Sequence, residues 1–326
     1  MAKPKVVITR EPPGPALARV REACEVFMWP EDSPMPRDLL LEQARDAEGL
    51  HTIITDGVDG ELLEAAPRLK VISSFSVGVD YIDLKACTAR GIPVGYTPGA
   101  VTEATADQAF ALMFAASRRV VEGAGYVRAG KWSGWSPLTM IANDVFGKTL
   151  GIVGLGRIGQ AVARRARGFS MRILYHNRNP NPEAERELGA HYATLQELLR
   201  ESDIVVLTVP YSAETHHLMD KTTLAQMKRS AYLINVARGG VVDSDALAEA
   251  LRAGTIRGAG LDVTEPEPIP MEHPLLALDS CVIVPHVGTA TWEARAAMTE
   301  ISVENLLRGL RGEPLLHCAN PPAQGG

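Results

Sequence analysis

The sequence has few cysteines, few aromatic residues and no long uninterrupted apolar run. Its four cysteines, among 326 residues, form no CxxC pair, so we expect free thiols in a reducing, cytoplasmic compartment and predict no metal site. No stretch approaches the roughly 18 apolar residues that a membrane span needs, so none is expected. The first ten residues are polar and contain no apolar core, so no signal peptide is expected.

Strong charge of either sign is also lacking. The net charge is −6, charged residues make up 22% of the chain, and there is no basic run. We therefore exclude nucleic acid and an anionic membrane surface as partners. A hydrophobic content of 46% is typical of an ordinary globular protein, and the length favours two domains, each with its own core.

Short apolar runs alternate with amphipathic segments in the first hundred residues. Strands are predicted at 5–8, 25–28, 52–55, 71–74 and 93–96, with helices at 15–23, 38–47 and 83–90. Buried strands that alternate with helices are typical of a parallel α/β sheet.

The same alternation returns after a long helix predicted from Thr102 to about Arg119 and a looser segment over 123–143. Strands are predicted at 149–153, 172–175, 204–208, 231–235, 258–262 and 282–284, followed by a helix at 292–310. We predict two Rossmann-like, doubly wound parallel-sheet α/β domains with a cleft between them, one of residues 1–101 plus 291–326 and one of residues 102–290. The polar tail from His317 is expected to be frayed.

A glycine-rich loop follows the strand at 149–153 and opens a helix; it consists of Gly154, Leu155, Gly156, Arg157, Ile158 and Gly159. Gly154 permits a tight turn, Gly156 a close approach of a pyrophosphate, and Gly159 close packing of helix on strand. The unpaired N–H groups of the helix start, helped by Arg157, would face the phosphates. The loop predicts a dinucleotide site; a glycine turn without a ligand is the alternative.

The next strand leads into Asn177 and Arg178, with no acidic residue. An NAD site places Asp or Glu about 20 residues after the loop to accept from the ribose 2′-hydroxyl. Arg178 would instead attract a 2′-phosphate. We therefore predict a preference for NADPH, with NADH as the second cofactor; a surface arginine beside a permissive pocket is the alternative.

Three later segments each place one reactive side chain just after a predicted strand: Arg238, Glu267 and His286. In open α/β sheets, ligands bind at the carboxyl ends of the strands. Arginine offers a planar fork to a carboxylate, and histidine can give a proton to a developing alkoxide. A nearby carboxylate favours and orients the imidazolium. Together these residues favour reduction of a small 2-oxo acid, although each alone could be structural.

Several segments resemble the D-2-hydroxyacid dehydrogenase family over nearly the whole chain: GIVGLGRIGQAVARR, INVARGGVVDSDAL, GAGLDVTEPEP and VPHVGTAT. VISSFSVGVDYID and IPVGYTPGAVTEATA are most similar to its glyoxylate/hydroxypyruvate reductase branch. The resemblance implies that Arg238 binds the substrate carboxylate, that His286 is the acid/base and that Glu267 is its partner. It also implies that residues 102–290 bind the dinucleotide and that the other domain binds substrate.

The resemblance extends to further site residues. It implies that the backbone N–H groups of Val77 and Gly78 bind the substrate carboxylate, with a plain strand-end turn as the alternative. Cofactor contacts are implied for Thr105, Asn177, Val209, Pro210, Thr215, Ala237, Asp262 and Gly288.

The implied reactions are reduction of glyoxylate to glycolate and of hydroxypyruvate to D-glycerate, by hydride transfer from the nicotinamide. Phosphoglycerate dehydrogenase is an alternative, although the chain has no room for the regulatory domain of its longer members. Formate dehydrogenase is disfavoured, since its relatives usually carry Gln at the position of Glu267. A nucleotide-sensing scaffold, as in the C-terminal-binding corepressors, is disfavoured because the chain has no long disordered tail.

Family members usually dimerise through the nucleotide-binding domain, so we expect a homodimer. Trp132 and Trp135, in the loose segment, are the candidates for its interface, and Trp135 is a candidate to reach the partner's cleft. The alternative is that both tryptophans cover their own domain.

Overall fold

The computed structural model describes residues 2–321, which form two compact units. One unit combines Met1–Val101 with Ala290–Gly326, and the other is the continuous segment Thr102–Thr289. Each unit contains one sheet whose strands pair in parallel, with helices along the connections. Among residues 2–321, no helix combines the length and the apolar character that crossing a membrane requires.

The first unit is built on a five-stranded sheet in the order β2-β1-β3-β4-β5. Its strands are β1 (Lys5–Ile8), β2 (Glu25–Met28), β3 (Gly49–Thr52), β4 (Val71–Ser74) and β5 (Val94–Gly95). Its helices are α1 (Leu17–Ala23), α2 (Arg37–Ala44), α3 (Gly60–Ala65), α4 (Leu84–Ala89) and, after the second unit, α12 (Trp292–Leu310). The central strands β3 and β4 are buried along their whole length, as expected for a parallel sheet covered on both faces.

The second unit is built on a seven-stranded sheet in the order β12-β11-β10-β9-β6-β7-β8. Its strands are β6 (Thr149–Val153), β7 (Arg172–His176), β8 (Ala190–Tyr192), β9 (Ile204–Leu207), β10 (Tyr232–Asn235), β11 (Gly258–Leu261) and β12 (Cys281–Ile283). Its helices are α5 (Thr102–Ser117), α6 (Val120–Arg128), α7 (Arg157–Arg167), α8 (Pro182–Leu188), α9 (Leu195–Glu201), α10 (Lys221–Leu224) and α11 (Ser244–Arg252). Short 3₁₀ turns span Gly239–Val241 and Pro274–Ala277.

The strand order reverses once in each sheet. In the second unit the chain runs outward from β6 through β7 to β8, then returns to β9 on the other side of β6 and continues to β12. Ligands of open α/β sheets bind outside the carboxyl ends of the strands at such a reversal. The loops after β6, β9, β10, β11 and β12 are therefore where a ligand site is expected.

The third predicted strand was wrong: β3 spans Gly49–Thr52 rather than residues 52–55. The chain turns after Thr52 because the Asp56 carboxylate accepts from the Ile53 amide at 2.8 Å and the Asp56 amide donates to the Ile53 carbonyl at 3.1 Å. The other predicted strands agree with the structure to within one residue at each end. The edge strand β8 was not predicted, and its three residues are too few to show an alternating pattern.

Two further expectations differ from the structure. The helix α6 extends into the segment 123–143 that was expected to be loose, and glycines at 123 and 125 obscure this helix in the sequence. The tail is not frayed over residues 317–321. Asn320 accepts from the Val94 amide at 2.8 Å, and Cys318 bridges Gly95, so this part of the tail is held against β5. The rest of the predicted tail, residues 322–326, lies outside the described residues.

Candidate active site

The glycine loop leaves β6 in a turn that only small residues allow. Gly154 has φ of +103°, and a Cβ there would lie 2.8 Å from the Val209 amide nitrogen. A Cβ on Gly159 would overlap the Gly154 carbonyl oxygen. The Thr208 hydroxyl donates to that same oxygen at 2.6 Å. The loop is thus packed against the strand end of β9 by close backbone contacts, as a dinucleotide loop requires.

The start of α7 is suited to an anion. Its N-cap is Gly156, which has no side chain to cap the helix, and the first turn contains Arg157 but no acidic residue. The position that a Gly156 Cβ would take is open: within residues 2–321, no heavy atom outside Gly156, its chain neighbours and the adjoining helix backbone lies within 4 Å of it. The exposed amide groups and the positive end of the helix dipole can therefore meet a phosphate directly. This geometry fits the pyrophosphate of a dinucleotide.

The end of β7 carries the two residues predicted to contact the adenosine ribose. The Asn177 side-chain oxygen accepts from the Leu155 amide at 2.6 Å, so Asn177 is tied to the glycine loop. Arg178 is exposed. It acts on Glu214, whose pKa is lowered first by a hydrogen bond from Ser212 and, more weakly, by the Arg178 charge. Glu214 was not predicted as a site residue, because it lies on another loop.

The loop after β9 contains three of the predicted cofactor residues. Val209 packs against Gly154. The Thr215 hydroxyl donates to the Pro210 carbonyl at 2.8 Å and accepts from the Ser212 amide at 2.8 Å. The loop is therefore closed on itself beside the glycine loop.

Arg238 follows β10 on a loop that is fixed by a buried asparagine. The Asn235 amide group donates to the Arg238 carbonyl at 2.9 Å, and its oxygen accepts from the Ala237 amide at 3.0 Å. The next residue, Gly239, has no room for a side chain because a Cβ would overlap the Thr264 carbonyl oxygen. The loops after β10 and β11 are therefore in backbone contact.

Asp262 shapes the turn that carries His286. It is 3% exposed, and its carboxylate accepts from the amides of Val287 at 2.8 Å and Gly288 at 2.9 Å. Burial raises the pKa of Asp262, although these two amide donors act in the opposite direction. His286 has φ of +52°, a left-handed conformation that few residues with a Cβ adopt. The predicted cofactor residue Thr105 packs on Gly288.

His286 and Glu267 form a hydrogen-bonded pair. His286 Nδ1 and Glu267 Oε1 are 2.6 Å apart, and the side chains are 25% and 38% exposed. The pair leaves Nε2 as the ring nitrogen through which His286 can act on another group. With Arg238 on the adjoining strand end, the structure places the three predicted catalytic residues after the neighbouring strands β10, β11 and β12.

A second histidine–glutamate pair in the same unit was not predicted. His217 Nε2 and Glu265 Oε2 are 2.5 Å apart, and the rings of His216 and His217 stack with centroids 3.9 Å apart. His216 Nδ1 is 3.1 Å from the Tyr211 hydroxyl. The adjacent histidines are visible in the sequence, but Glu265 lies 48 positions away from His217.

The predicted substrate residues Val77 and Gly78 belong to the first unit, in the turn after β4. The Ser76 hydroxyl donates to the Gly78 carbonyl, and the Ser76 carbonyl accepts from the Thr97 amide at 3.0 Å. The turn is therefore fixed from within its own unit.

The tryptophans do not cover their own unit. Trp132 is 62% exposed and Trp135 is 86% exposed. Other large apolar side chains of α6 and the segment after it are more than half exposed as well; they are Val120, Val121, Val127, Leu138, Ile141 and Phe146. Exposed apolar patches of this kind mark contact surfaces.

Comparison with known proteins gives consistent matches. Residues 110–288 match the model of the D-isomer specific 2-hydroxyacid dehydrogenase NAD binding domain. A glyoxylate reductase from Korarchaeum cryptofilum is 49% identical over 312 residues, which cover 95% of this chain and 94% of the relative.

Solved structures are similar over nearly their full length. The TT0316 protein from Thermus thermophilus has a TM-score of 0.91 and 48% identity, covering 97% of this chain and 99% of that one. An NADPH-dependent glyoxylate/hydroxypyruvate reductase from Sinorhizobium meliloti, in complex with NADP and malonate, has a TM-score of 0.85 and 33% identity, covering 98% of each chain.

Proposed function

The chain belongs to the D-isomer specific 2-hydroxyacid dehydrogenase family, and from that premise we propose that it reduces glyoxylate to glycolate. Hydroxypyruvate, giving D-glycerate, is the proposed second substrate. The observation that carries the proposal is the pair of His286 Nδ1 and Glu267 Oε1 at 2.6 Å. His286 and Glu267 follow the carboxyl ends of β12 and β11, and Arg238 follows that of the next strand, β10. The glyoxylate reductases among its relatives support the choice of acid.

The three side chains have separate proposed roles. Arg238 binds the carboxylate of the 2-oxo acid and orients its carbonyl, because a guanidinium presents two parallel donors. His286 gives its Nε2 proton to the carbonyl oxygen as negative charge develops there. Glu267 accepts from Nδ1, which fixes the orientation of the ring and directs Nε2 to the substrate. The bound nicotinamide supplies the hydride that reduces the 2-carbon.

Substrate binding also involves the first unit in this proposal. The backbone N–H groups of Val77 and Gly78 are proposed to bind the substrate carboxylate. The unit Met1–Val101 with Ala290–Gly326 would thus supply substrate contacts, and Thr102–Thr289 would bind the cofactor.

We propose NADPH as the preferred cofactor. The end of β7 presents Asn177 and Arg178 where an NAD site has a carboxylate. The nearby Glu214 weakens this preference, since its charge competes for Arg178. Thr105, Val209, Pro210, Thr215, Ala237, Asp262 and Gly288 remain proposed cofactor contacts alongside the glycine loop.

The test is steady-state kinetics with glyoxylate, hydroxypyruvate, pyruvate and oxaloacetate, each with NADPH and with NADH. We expect the highest kcat/KM for glyoxylate with NADPH, and hydroxypyruvate next. Turnover of none of the four acids would overturn the proposal, and a clear NADH preference would overturn the assignment of cofactor alone.

We further propose that the protein is a homodimer, joined through the exposed apolar side chains of α6 and the segment 129–147. Sedimentation should show a dimer for the wild-type protein, and Trp135→Ser with Leu138→Ser should shift it towards monomer. A wild-type monomer would contradict this. If Trp135 reaches the partner's substrate site, Trp135→Ala should also raise KM for the acid in protein that is still dimeric.

A further inference from the structure

Three side chains with metal-binding atoms converge beside the candidate active site, in the loops after β9 and β11. They are His216, His217 and Glu265, and one ligand atom of each lies within 4.8 Å of those of the other two. We propose that this cluster binds a divalent transition-metal ion, with Zn²⁺ as the representative ion. Two imidazole nitrogens and one carboxylate oxygen are a ligand set that zinc accepts, with a fourth position left for water.

The cluster needs small side-chain movements to close around an ion. Tetrahedral zinc with bonds of about 2.1 Å keeps its ligand atoms about 3.4 Å apart. His217 Nε2 and Glu265 Oε2 are 2.5 Å apart and must separate slightly. The stacked ring of His216 must turn Nε2 towards them. His216 is exposed and the other two side chains are more than a third exposed. Rotation is therefore unhindered by the core, and water and ions can reach the cluster.

The backbone of two of the ligands is held in place without an ion. The His217 amide donates to the Gly240 carbonyl at 2.8 Å. Thr264, which precedes Glu265, lies in backbone contact with Gly239. The loop containing Arg238 thus links the loops after β9 and β11. This link reduces the conformational entropy that these loops would lose when an ion binds.

A separate observation also indicates a metal ligand. His216 Nδ1 lies 3.1 Å from the Tyr211 hydroxyl, which leaves Nε2 as the metal-binding atom. Histidines that bind metals almost always donate their other ring N–H to an oxygen, which fixes the tautomer and orients the ring. Tyr211 is therefore the outer partner that would orient His216 towards the ion.

An ion at this position would act on the proposed reaction. Glu265 precedes Glu267 by two residues, and the ion would replace the direct contact between His217 and Glu265. Movement of Glu265 towards the ion shifts the segment that holds Glu267 against His286, so we expect bound Zn²⁺ to inhibit turnover. This expectation rests on the proposed function, whereas the binding itself does not.

The binding test is calorimetry with tag-free, metal-stripped protein titrated with Zn²⁺. We expect one ion per chain for the wild-type protein, and affinity reduced by more than about tenfold in His216→Ala, His217→Ala and Glu265→Gln. His191→Ala is the matched control, because His191 is exposed and lies on β8, outside the cluster. Absence of stoichiometric binding, or equal binding by wild type, His216→Ala and Glu265→Gln, would overturn the proposal.

Two more measurements identify the ligands. Tyr211→Phe should weaken Zn²⁺ binding by about 10–100-fold if Tyr211 orients His216. The absorption spectrum of the Co²⁺-loaded protein should show nitrogen and oxygen ligands without a thiolate charge-transfer band. A thiolate band that persists in His216→Ala would assign the ion to a cysteine and overturn the proposed site.

The last readout is the ratio of activities with and without Zn²⁺, measured for each variant against itself. We expect inhibition of the wild-type and His191→Ala enzymes that is lost in His216→Ala. Binding without inhibition would overturn the inhibitory role and leave the metal site standing. Failure of the wild-type protein to reduce any acid would refute the proposed function without affecting the calorimetric result.

Discussion

Two histidines in different regions of the molecule differ in their exposure and in the groups that they contact. At the carboxyl edge of the seven-stranded sheet, His286 is 25% exposed and lies 2.6 Å from the Glu267 carboxylate. Inside the five-stranded sheet, His51 on β3 is 1% exposed, and its Nε2 lies 3.0 Å from the Ser302 hydroxyl. Within residues 2–321, His51 Nδ1 has no hydrogen-bond partner. Burial lowers the pKa of His51 to about 4.

The difference shows how position decides what the same side chain can do. A partly exposed histidine that is oriented by a carboxylate can exchange a proton with a ligand. A histidine surrounded by apolar groups and one hydroxyl stays neutral and serves packing. Substitution of His286 and of His51 tests this difference.

The largest effect is expected for His286→Ala. Its kcat for glyoxylate should fall by about 10²–10⁴-fold, because general-acid catalysis contributes roughly this much. Cofactor affinity, measured by fluorescence titration, should stay nearly unchanged, and His191→Ala should behave as wild type. Turnover close to wild type in His286→Ala would remove the proposed proton donor.

The buried His51 should instead affect how the free energy of unfolding depends on pH. The folded pKa of His51 lies near 4, below the unfolded value of about 6.5. As pH falls through this window the unfolded chain binds a proton that the folded chain does not, so His51 costs stability on the order of 3 kcal/mol by about pH 4. Above the unfolded value this dependence is absent.

His51→Gln removes the titration and keeps an N–H donor for Ser302. Urea unfolding of both proteins between about pH 7 and pH 4 should show the wild type losing stability relative to His51→Gln as the pH is lowered. Because other titrating groups are common to both, their difference isolates His51. A difference that does not change with pH would contradict a neutral buried His51.

The two glutamates of the loop after β11 provide a comparison within one region. Glu267 and Glu265 have equal side-chain exposure of 38%, and each lies near a histidine nitrogen. Glu267→Gln should lower kcat by about 10–100-fold, as loss of a charge-assisted hydrogen bond costs about 1.5–3 kcal/mol. Glu265→Gln should lower it less than tenfold in metal-free buffer. Equal losses would show that Glu267 has no special role.

The smallest effect concerns the cofactor at an exposed position. Arg178→Ala should raise KM for NADPH about threefold to tenfold and leave KM for NADH nearly unchanged. Glu214→Gln should act in the opposite direction by about twofold, because it removes a carboxylate that competes for Arg178. Equal changes in KM for both cofactors in Arg178→Ala would contradict recognition of a 2′-phosphate.

Most of the fold could be predicted because its information is local. Apolar runs gave correct positions for all the predicted strands except that at 52–55. There, the chain turns after Thr52 because the Asp56 carboxylate accepts from the Ile53 amide. The helix at 292–310 was predicted to the residue. The helix α6 and the pairing of the tail with β5 escaped, since one contains two glycines and the other depends on Asn320, more than 200 residues from its partner.

The site was predicted in part for the same reason. The glycine loop and the reactive residues after β10, β11 and β12 are visible because each follows its own strand. The contacts that hold these residues in place are not visible in the sequence. Asp262 reaches the amides of the His286 turn from 25 and 26 residues away, and Glu214 approaches Arg178 from another loop.

The sequence by itself determined that there are two parallel α/β sheets, a dinucleotide loop and an arginine, a glutamate and a histidine at strand ends, because strand burial and glycine turns are encoded over a few adjacent residues. The resemblance also implied that Glu267 is the partner of His286, but only the tertiary structure decided the surroundings of the other histidines. Glu265 pairs with His217 beside His216, and within residues 2–321 the His51 side chain contacts the Ser302 hydroxyl rather than a carboxylate. These contacts depend on the order of the strands and on contacts between loops, which bring together residues that are far apart in the sequence.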